Sequence, residues 1–330
     1  MVHMNEEGTS VKHLRRFMML IAVLAVSVTT VALRPAVSAE QTSLVLAFVP
    51  SADASRVLAT GSTLARMLEV ATGYRVRAEV PTSYAATIEA MCAGRVDVGF
   101  LATFAYVLGN QRCGTEARLV SIRANKPFYV SQILYRADLN VRNLNDLRGK
   151  RFAFVDPASA SGYLFPAALL KKNGIDPDRF FSQVLFAGGH DKVVLAIYTG
   201  SVDAGATFGD PDNPVLEARE GAVRQYPDVR DKVKVLMYTE DIPNDTVSFR
   251  RDLPEEVKEK VTKAMFRIAA TPPGRETIFA LYQHQGYADL QALRTTYKKP
   301  QLRSVDDLYQ VVRDAAKLLG LDLEALVRPR

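Results

Sequence analysis

A turn of small and hydroxyl residues is the part of this sequence most suited to holding a bound molecule. The stretch "DPASASG" begins at Asp156, directly after the apolar segment "RFAFV", and a helical pattern follows it. Backbone N–H groups at a helix start have no partner within the helix, and the helix dipole favours negative charge there. Ser159 and Ser161 add neutral donors. The turn therefore predicts either an anion site or a helix cap made by Ser159 or Ser161.

A histidine occupies a second turn of similar character. His190 stands in "AGGHD" (187–191), after the apolar segment "QVLFA" and before another helical pattern. A lone histidine is more often structural than functional, but the imidazole of one placed between a strand and a helix can donate a hydrogen bond to an anion. The two interpretations, a ligand contact and a cap of its own turn, stay open from the sequence.

Hydrolysis by Ser161, His190 and Asp245 is an alternative that the same residues raise. A serine hydrolase of the common α/β type places its nucleophile in a G-x-S-x-G elbow opposite an oxyanion hole. This sequence has no such elbow, and nothing in it identifies an oxyanion hole. We therefore expect no catalytic residues and no enzyme activity. A carboxylate such as Asp245 would instead accept a proton from a partly protonated oxyanion and repel a fully ionised one.

Composition excludes several other classes. "RGKR" (148–151) has the glycine and lysine of a phosphate-binding loop, but Leu144 stands where the earlier glycine is required. With four histidines and two cysteines in 330 residues, we expect no metal site and no cofactor. The formal net charge is +6, of which +4 belongs to the chain after residue 39. This scattered charge favours small anions, and it is not the dense basic face that nucleic acids need.

The two cysteines, Cys92 and Cys113, form either a disulfide or a pair of buried thiols. Disulfides persist in oxidising compartments, so an exported protein would favour the bond. Such a bond would close a loop of about 20 residues and contribute about 3 kcal/mol in the chain-entropy picture. The sequence does not give the distance between the two side chains.

The elements that must position these residues alternate between short strands and helices. This alternation predicts an α/β fold with mostly parallel sheets flanked by helices. The pattern G-x-V-D-x-G occurs twice, at 94–99 and 200–205, each time after a helix and before a strand, which predicts two similar lobes with a ligand cleft between them. The glycines suit the left-handed position after a helix and the aspartates suit a tight turn. The predicted strands are 43–49, 74–80, 96–102, 151–155, 183–187 and 202–208, and the principal predicted helices are 56–73, 83–94, 252–274 and 304–320.

The first 39 residues have the pattern of an export signal. A basic start with Lys12, Arg15 and Arg16 precedes a long apolar run, and small residues lead to a cleavage position after Ala39. An uncleaved membrane anchor is the alternative, which the polar residues within the run disfavour.

The sequence blocks taken together resemble a known family. The blocks "SYAATIEAMCAGRVDVGFLATFAYVL", "PFYVSQI", "DPASASGYLFPAALLKKNGIDP", "FAGGHDKVVLAIYTGSVDAGATF" and "IPNDTVSF" are similar to those of phosphate/phosphite/phosphonate substrate-binding proteins of ABC transporters. The resemblance covers residues 41–270. It implies a two-lobed periplasmic binding protein fold with a hinged cleft. We assign residues 40–135 and 246–330 to lobe 1 and residues 136–245 to lobe 2.

The resemblance also implies a set of ligand-binding residues. The oxyanion would lie against the turn Ser159, Ala160 and Ser161, where Ala160 replaces the usual threonine of the family. Tyr84 and Tyr129 match family tyrosines on the first-lobe side of the cleft, and His190 and Asp245 match the family histidine and aspartate. A glutamate that holds the amine of aminophosphonates has no counterpart, although Asp210 and Asp212 lie near its place. Phosphite, methylphosphonate or phosphate becomes as good a candidate as an aminophosphonate.

The function implied is that of an extracytoplasmic solute-binding component of an ABC importer. Its partners would be a small oxyanion, a permease and an ATPase, with no nucleic acid and no membrane contact beyond the permease or an uncleaved anchor. We expect a monomer without cofactors in the periplasm or on the outer face of the cell envelope. The alternatives are a sensing or scavenging protein that uses the same cleft with a signalling partner, and the less favoured secreted hydrolase.

Overall fold

Two mixed sheets form the framework of the protein. The computed structural model describes residues 42–323, so the predicted signal segment 1–39 lies outside the described residues. The strands of the first sheet are β1 (Ser43–Phe48), β2 (Arg75–Glu79), β3 (Val98–Leu101), β4 (Glu116–Ile122), β11 (Thr246–Phe249) and β12 (Gly286–Ala288). Their order across the sheet is β12-β4-β11-β3-β1-β2.

The second sheet repeats the arrangement of the first. Its strands are β5 (Phe128–Arg136), β6 (Arg151–Phe154), β7 (Gln183–Phe186), β8 (Ala204–Gly209), β9 (Val233–Tyr238) and β10 (Ile242–Pro243). Their order is β10-β5-β8-β6-β7, with β9 also paired to β5. Both sheets share a pattern of three parallel strands: β1 lies between β2 and β3, and β6 lies between β7 and β8. An antiparallel strand then follows, β11 beside β3 and β5 beside β8.

Helices cover the sheets. Those that follow first-sheet strands are α1 (Ala54–Thr72), α2 (Tyr84–Cys92), α3 (Thr103–Cys113), α9 (Glu255–Ala270), α10 (Pro272–Tyr282), α11 (Leu290–Thr295) and α12 (Gln310–Leu318). Those that follow second-sheet strands are α4 (Phe165–Lys172), α5 (Pro177–Phe180), α6 (His190–Tyr198), α7 (Glu220–Val223) and α8 (Val229–Lys232). The predicted helix 252–274 is broken, because Thr271 is extended and caps α10 at two prolines. In the part of the chain that the structure describes, no helix has the length and apolarity to cross a membrane.

Period-two alternation in β6 shows why the second sheet is covered on both faces. Phe152 and Phe154 belong to one buried apolar cluster, whereas Ala153 and Val155 belong to another on the opposite face. Successive side chains of a strand point to opposite faces, so an apolar run such as "RFAFV" requires cover on both sides.

The expected predominance of parallel strands is not found. β1 pairs in parallel with β2 and β3, and β6 pairs in parallel with β7 and β8. β5, through which the chain enters the second sheet, and β11, through which it returns to the first, pair antiparallel with their neighbours. β5 belongs to the second sheet along its whole length, and the predicted lobe boundary at 135/136 falls at its last residue.

The repeated G-x-V-D-x-G pattern has a structural role that differs from the predicted one. Gly94 and Gly200 do take left-handed φ values, 70° and 76°. Asp97, however, accepts a hydrogen bond from the N–H of Val45 at 2.8 Å, and Asp203 accepts one from the N–H of Arg151 at 2.9 Å. Asp97 thus joins the start of β3 to β1, and Asp203 joins the start of β8 to β6.

A disulfide joins Cys92 to Cys113, with a Cα–Cα distance of 5.4 Å. It ties the last residue of α2 to the last residue of α3. The first residues of these helices, Tyr84 and Thr103, lie near or at the cleft described below. The bond therefore holds two helices whose opposite ends meet the site.

Candidate functional site

A cleft of about 690 Å³ lies between the carboxyl-end edges of the two sheets. Its walls come from segments that follow β1, β3, β6, β7 and β8, which is where open α/β sheets place their ligands. Six of the residues predicted from the sequence line this cleft: Tyr84, Tyr129, Ser159, Ser161, His190 and Asp245.

The serine turn is both a cap and a set of free donors. Ser159 Oγ accepts a hydrogen bond from the N–H of Gly162 at 3.0 Å, and the carbonyl of Ser161 accepts one from Ser131 Oγ at 2.6 Å. Among the described residues, no acceptor meets the backbone N–H of Ala160 or of Ser161. The two interpretations left open by the sequence therefore coexist, because the cap uses one N–H and leaves the others.

The helix after the turn begins with one wider turn. Ala160–Leu164 forms a π-type turn that runs directly into α4. Pro166 has no N–H to donate and its ring crowds the carbonyl four residues earlier, that of Gly162. That carbonyl instead accepts a hydrogen bond from the N–H of Val155, at 3.0 Å, at the end of β6. The proline thus releases a carbonyl that fastens the helix start to the strand.

Gly162 and Ala160 serve packing rather than ligand access. A Cβ at Gly162 would lie 2.4 Å from Val155 Cβ, so glycine allows the helix to approach the strand. Packing therefore accounts for the glycine at this position. Ala160 is buried in a core cluster and is not among the residues that line the cleft, although its N–H has no acceptor among the described residues.

The two tyrosines reach the cleft from different parts of the fold, Tyr84 from a helix that follows a first-sheet strand and Tyr129 from a strand of the second sheet. Tyr84 is the first residue of α2, is 1% exposed, and has a hydroxyl without a partner among the described residues. Burial raises the pKa of Tyr84 well above its usual value, and Asp156 and Asp245 add to the shift. Tyr129 belongs to β5 and pairs with Ile242, so its predicted place on the first-lobe side is wrong. Burial raises the pKa of Tyr129 too, so both phenols stay protonated and can donate.

His190 is the first residue of α6 and reaches both sides of the cleft. Its N–H donates to the carbonyl of Ser51, which follows β1, at 2.9 Å. Its Nδ1 accepts from the N–H of Phe208 at 3.4 Å, an arrangement that leaves the hydrogen on Nε2. Burial lowers the pKa of His190 to about 3, against a weaker opposing influence of Asp245. His190 is therefore a neutral donor at neutral pH.

Asp245 lies in the segment that returns to the first sheet and pairs with a histidine that was not predicted. His284 Nε2 lies 3.4 Å from Asp245 Oδ2, and Thr103 Oγ1 lies 3.5 Å from Oδ1. Burial raises the pKa of Asp245, but the hydrogen bond from His284 and the charge of Arg123 outweigh it and the net pKa is lowered. Asp245 is thus ionised. Its histidine partner is His284 and not His190, so the Ser161–His190–Asp245 set is not assembled as a hydrolase triad.

Arg123 is the cleft residue that the sequence analysis missed. It is 5% exposed, and its Nη2 donates to the carbonyl of Tyr282. Its guanidinium lies 4.8 Å from the ring centroid of Phe208 and 5.5 Å from that of Tyr129. Its Nε and Nη1 are buried without a hydrogen-bond partner among the described residues. Burial lowers the pKa of Arg123, but an arginine starts so high that it stays charged.

The position of Arg123 follows from strand directions that only the folded chain shows. β11 is antiparallel to both β3 and β4, so β4 runs in the same direction as β3 and as β1, which is parallel to β3. Arg123 directly follows β4 and so lies at the same sheet edge as the segments after β1 and β3. The turn that follows it holds Ala124 and Asn125 at φ values of 48° and 58°. His284 stands between α10 and β12 with no local pattern to mark it.

The acidic residues near the place of the family glutamate do not line the cleft. Asp210 Oδ1 accepts from the N–H groups of Asp212 and Asn213, at 2.9 Å and 3.1 Å, and so closes its own turn. Asp212 forms an exposed ion pair with Lys126 at 3.2 Å. Among the described residues, no group of three or more histidines, cysteines and carboxylates is arranged to hold a metal ion.

Comparison with known families and structures agrees with this arrangement. The family described as "ABC transporter, phosphonate, periplasmic substrate-binding protein" matches residues 46–297. A binding-protein component of an ABC phosphonate transporter from Pseudomonas aeruginosa has a similar fold, with a TM-score of 0.69 at 21% identity over 85% of this chain and 98% of that one. At this identity the structure supports the fold alone.

Two curated relatives are similar in sequence. The phosphate-import protein PhnD of Mycolicibacterium smegmatis is 36% identical over 176 residues, which are 50% of this chain and 55% of the relative. The phosphonates-binding periplasmic protein of Escherichia coli is 27% identical over 231 residues, which are 68% of this chain and 64% of the relative. The chain thus spans between half and two thirds of the length of these relatives.

Proposed function

We propose, since this chain belongs to the family of periplasmic substrate-binding proteins of phosphonate ABC transporters, that it captures a small phosphorus oxyanion in the cleft. The observation that supports this most is a group of buried donors, in or beside the cleft lining, with no partner among the described residues. They are the N–H groups of Ala160 and Ser161 and the hydroxyl of Tyr84. Buried polar groups are normally paired, so donors left unpaired at a cleft mark where a ligand supplies the acceptor.

The proposed roles follow from the geometry. The N–H groups at the helix start and the hydroxyl of Ser161 would hold the oxyanion, together with Nε2 of His190. The buried phenol of Tyr84 and that of Tyr129 would donate to it as well. Asp245 would accept a hydrogen from the ligand, because an ionised carboxylate cannot face a fully deprotonated oxyanion without repulsion. The ligand would therefore be a phosphorus acid that still carries a proton.

The two sheets with their helices would act as two lobes that close on the ligand. Two segments connect them, residues 123–127 and 244–245, and they lie side by side. Asn244 N–H donates to the carbonyl of Pro127 at 2.9 Å, and Asn244 Nδ2 donates to that of Lys126 at 2.9 Å. A pair of adjacent connections of this kind is suited to a hinge, in which few residues absorb the rotation.

Export and transport complete the proposal. The family is periplasmic, which implies an exported location. We expect cleavage after Ala39, release of a monomer, and delivery of the ligand to an ABC permease with its ATPase. N-terminal sequencing of the exported protein should begin at Glu40, and a protein that keeps residues 1–39 would instead be anchored by them.

Titration calorimetry of the purified protein would test the function. Bound ligand is first removed by unfolding and refolding, and phosphate, phosphite, methylphosphonate and sulfate are then titrated. We expect heat from at least one phosphorus oxyanion. Ser161→Ala and His190→Gln each remove a hydrogen bond to a charged ligand, which is worth about 1.5–3 kcal/mol, or about 10- to 150-fold in affinity.

A matched control is Ser55→Ala, which removes a hydroxyl beside the cleft that already bonds Asp53. This variant should bind like the parent protein. If a folded protein gives no heat with any of these ions, the fold would be that of the family and the ligand would be of another class. If the protein binds the ion tightly but its loss leaves cellular uptake of that ion unchanged, a sensing or scavenging role would be favoured.

A further inference from the structure

A buried cation without a partner anion stands inside the cleft. Arg123 forms no ion pair with any carboxylate that the structure describes, and its Nε and Nη1 have no hydrogen-bond partner there. A buried charge is costly unless it is paired, so this guanidinium requires an acceptor that the protein itself does not supply. The rings of Phe208 and Tyr129 lie at centroid distances of 4.8 Å and 5.5 Å from the guanidinium, and the carbonyl of Tyr282 accepts from Nη2, so these contacts hold the group within the cleft.

Arg123 and Asp245 face the same cleft without touching each other. The charge of each shifts the pKa of the other, yet no contact within 4.0 Å joins them. Asp245 is occupied by His284 and Thr103. A ligand that accepts from the guanidinium and donates to the carboxylate would satisfy both, which a singly protonated oxyanion does and an ammonium group does not.

The remaining carboxylates of the cleft already have partners. Asp53 caps α1 through the N–H of Arg56 at 2.9 Å, Asp191 accepts from the N–H of Lys192 at 2.9 Å, and Glu220 pairs with Arg230 at 2.6 Å. With Asp245 taken by the protonated oxyanion, a ligand ammonium would therefore find a fixed buried cation and no further cleft carboxylate without a partner. Two like charges held about 6 Å apart near a protein surface repel by an amount equal to roughly 100-fold in affinity.

We propose that Arg123 sets the charge class of the ligand, so that the cleft takes phosphorus oxyanions with an uncharged substituent, or none, and rejects those that carry an ammonium group. This inference rests on the proposed oxyanion site and adds a selection to it. The cation adds a charged donor to the oxyanion site and makes the space beside it unfavourable to positive charge.

Two ligands of nearly equal shape test the selection. Propylphosphonate carries a methyl group where 2-aminoethylphosphonate carries an ammonium group, and the cleft of about 690 Å³ has room for either. Calorimetry on the refolded, ligand-free protein should show propylphosphonate binding at least about tenfold more tightly. Arg123→Gln should reduce the ratio of the two affinities by about tenfold or more. Arg123→Lys keeps the charge and should still bind propylphosphonate more tightly than 2-aminoethylphosphonate.

Two controls separate this selection from general effects. Arg224→Gln removes an exposed arginine at the mouth of the cleft and should leave the ratio unchanged. Methylphosphonate and phosphate, titrated in parallel, report on the oxyanion site itself. Thermal melting of each variant shows that it is folded, and Arg123→Lys serves as the test if Arg123→Gln does not fold.

Each outcome decides the matter. Equal binding of the two ligands by the parent protein, or an equal loss of both in Arg123→Gln, would overturn the selection while leaving the oxyanion site intact. Binding of phosphate with neither larger ligand would also overturn it, because size would then decide. Absence of binding by phosphate and every phosphonate would instead mean that the proposed function itself is wrong.

Discussion

Single residues in the cleft act through their protonation states. His190 and the two tyrosines are neutral donors, Asp245 is an ionised acceptor, and Arg123 is a fixed cation. Burial is the first cause of the shift for His190, Tyr84, Tyr129 and Arg123, since it penalises whichever form is charged. The site therefore combines several neutral donors with one negative and one positive charge, and it distinguishes ligands by their protons as well as by their shape.

Asp245 should exclude sulfate. Sulfate has no proton at neutral pH, so it would face the carboxylate with like charge, whereas a protonated phosphorus acid donates to it. We expect the parent protein to bind its phosphorus ligand at least about 100-fold more tightly than sulfate, and Asp245→Asn to narrow that ratio by about tenfold. Competition calorimetry measures both values. Asp53→Asn, which keeps a helix cap at the cleft mouth, is the matched control, and an unchanged ratio in Asp245→Asn would contradict the assigned role.

His190 should make stability depend on pH. Its pKa is about 3 in the folded protein and about 6.5 in the unfolded chain, so its stabilising contribution is complete above pH 6.5 and is lost as the pH falls toward 3. At pH 5 the loss is about 2 kcal/mol in the free energy of unfolding. Urea unfolding at pH 7 and pH 5 measures it. His190→Gln should show a smaller loss, with the remainder due in part to His284, whose pKa burial also lowers; an identical loss would show that His190 is not the cause.

At the scale of elements, the site depends on how closely a helix start meets the end of a strand. Gly162, Pro166 and Val155 fix this junction, through a missing Cβ, a missing N–H and a backbone hydrogen bond. The disulfide between α2 and α3 and the bond from His190 N–H to Ser51 hold the opposite wall. The donors are therefore arranged before any ligand arrives, which lowers the ordering cost of binding.

Gly162→Ala should destabilise this junction. The added Cβ would lie 2.4 Å from Val155 Cβ, so the helix must shift, at a cost of about 1–3 kcal/mol, and affinity for the ligand should fall with it. Urea unfolding and calorimetry measure the two effects. Val155→Ala in the same chain removes the Cγ2 atom that would lie 2.5 Å from the added Cβ but keeps the Cβ atom at 2.4 Å, so it should recover only a small part of the loss. A Gly162→Ala variant as stable as the parent would show that the contact is not tight.

At the scale of the whole molecule, binding couples to the relative position of the two sheets. The ligand would contact the serine turn and His190 on the second-sheet side and Tyr84 on the first-sheet side, while the connections at 123–127 and 244–245 carry Arg123 and Asp245 at their ends. A ligand that bridges both sides favours the arrangement in which they are closest.

Ligand binding should therefore make the protein more compact. We expect a smaller radius of gyration by small-angle X-ray scattering when the phosphorus oxyanion is added, and slower hydrogen exchange at the N–H of His190, which reaches across to Ser51. Ser161→Ala at the same ligand concentration should stay close to the ligand-free value. An unchanged radius at saturating ligand would argue against closure.

Local patterns in the sequence were sufficient for the α/β class, for six of the twelve strands in residues 42–323 and for the helix cap at the serine turn. These depend on local physics: period-two apolar runs, glycines after helices, and small hydroxyl residues where a helix begins. Tyr84, His190 and Asp245 followed from the family resemblance, and the structure brings them to one cleft with Ser159 and Ser161. Their roles as ligand contacts stay predictions.

The folded chain was needed to show which groups lack partners and which sheet each strand joins. Arg123 meets Phe208, Tyr129 and the carbonyl of Tyr282 across the fold, and Asp245 meets His284 in place of His190. β5 lies in the second sheet because its partners, β8 and β9, come much later in the chain. Burial and pairing depend on contacts between residues far apart in sequence, and these contacts, which no local pattern specifies, set the charge balance of the cleft.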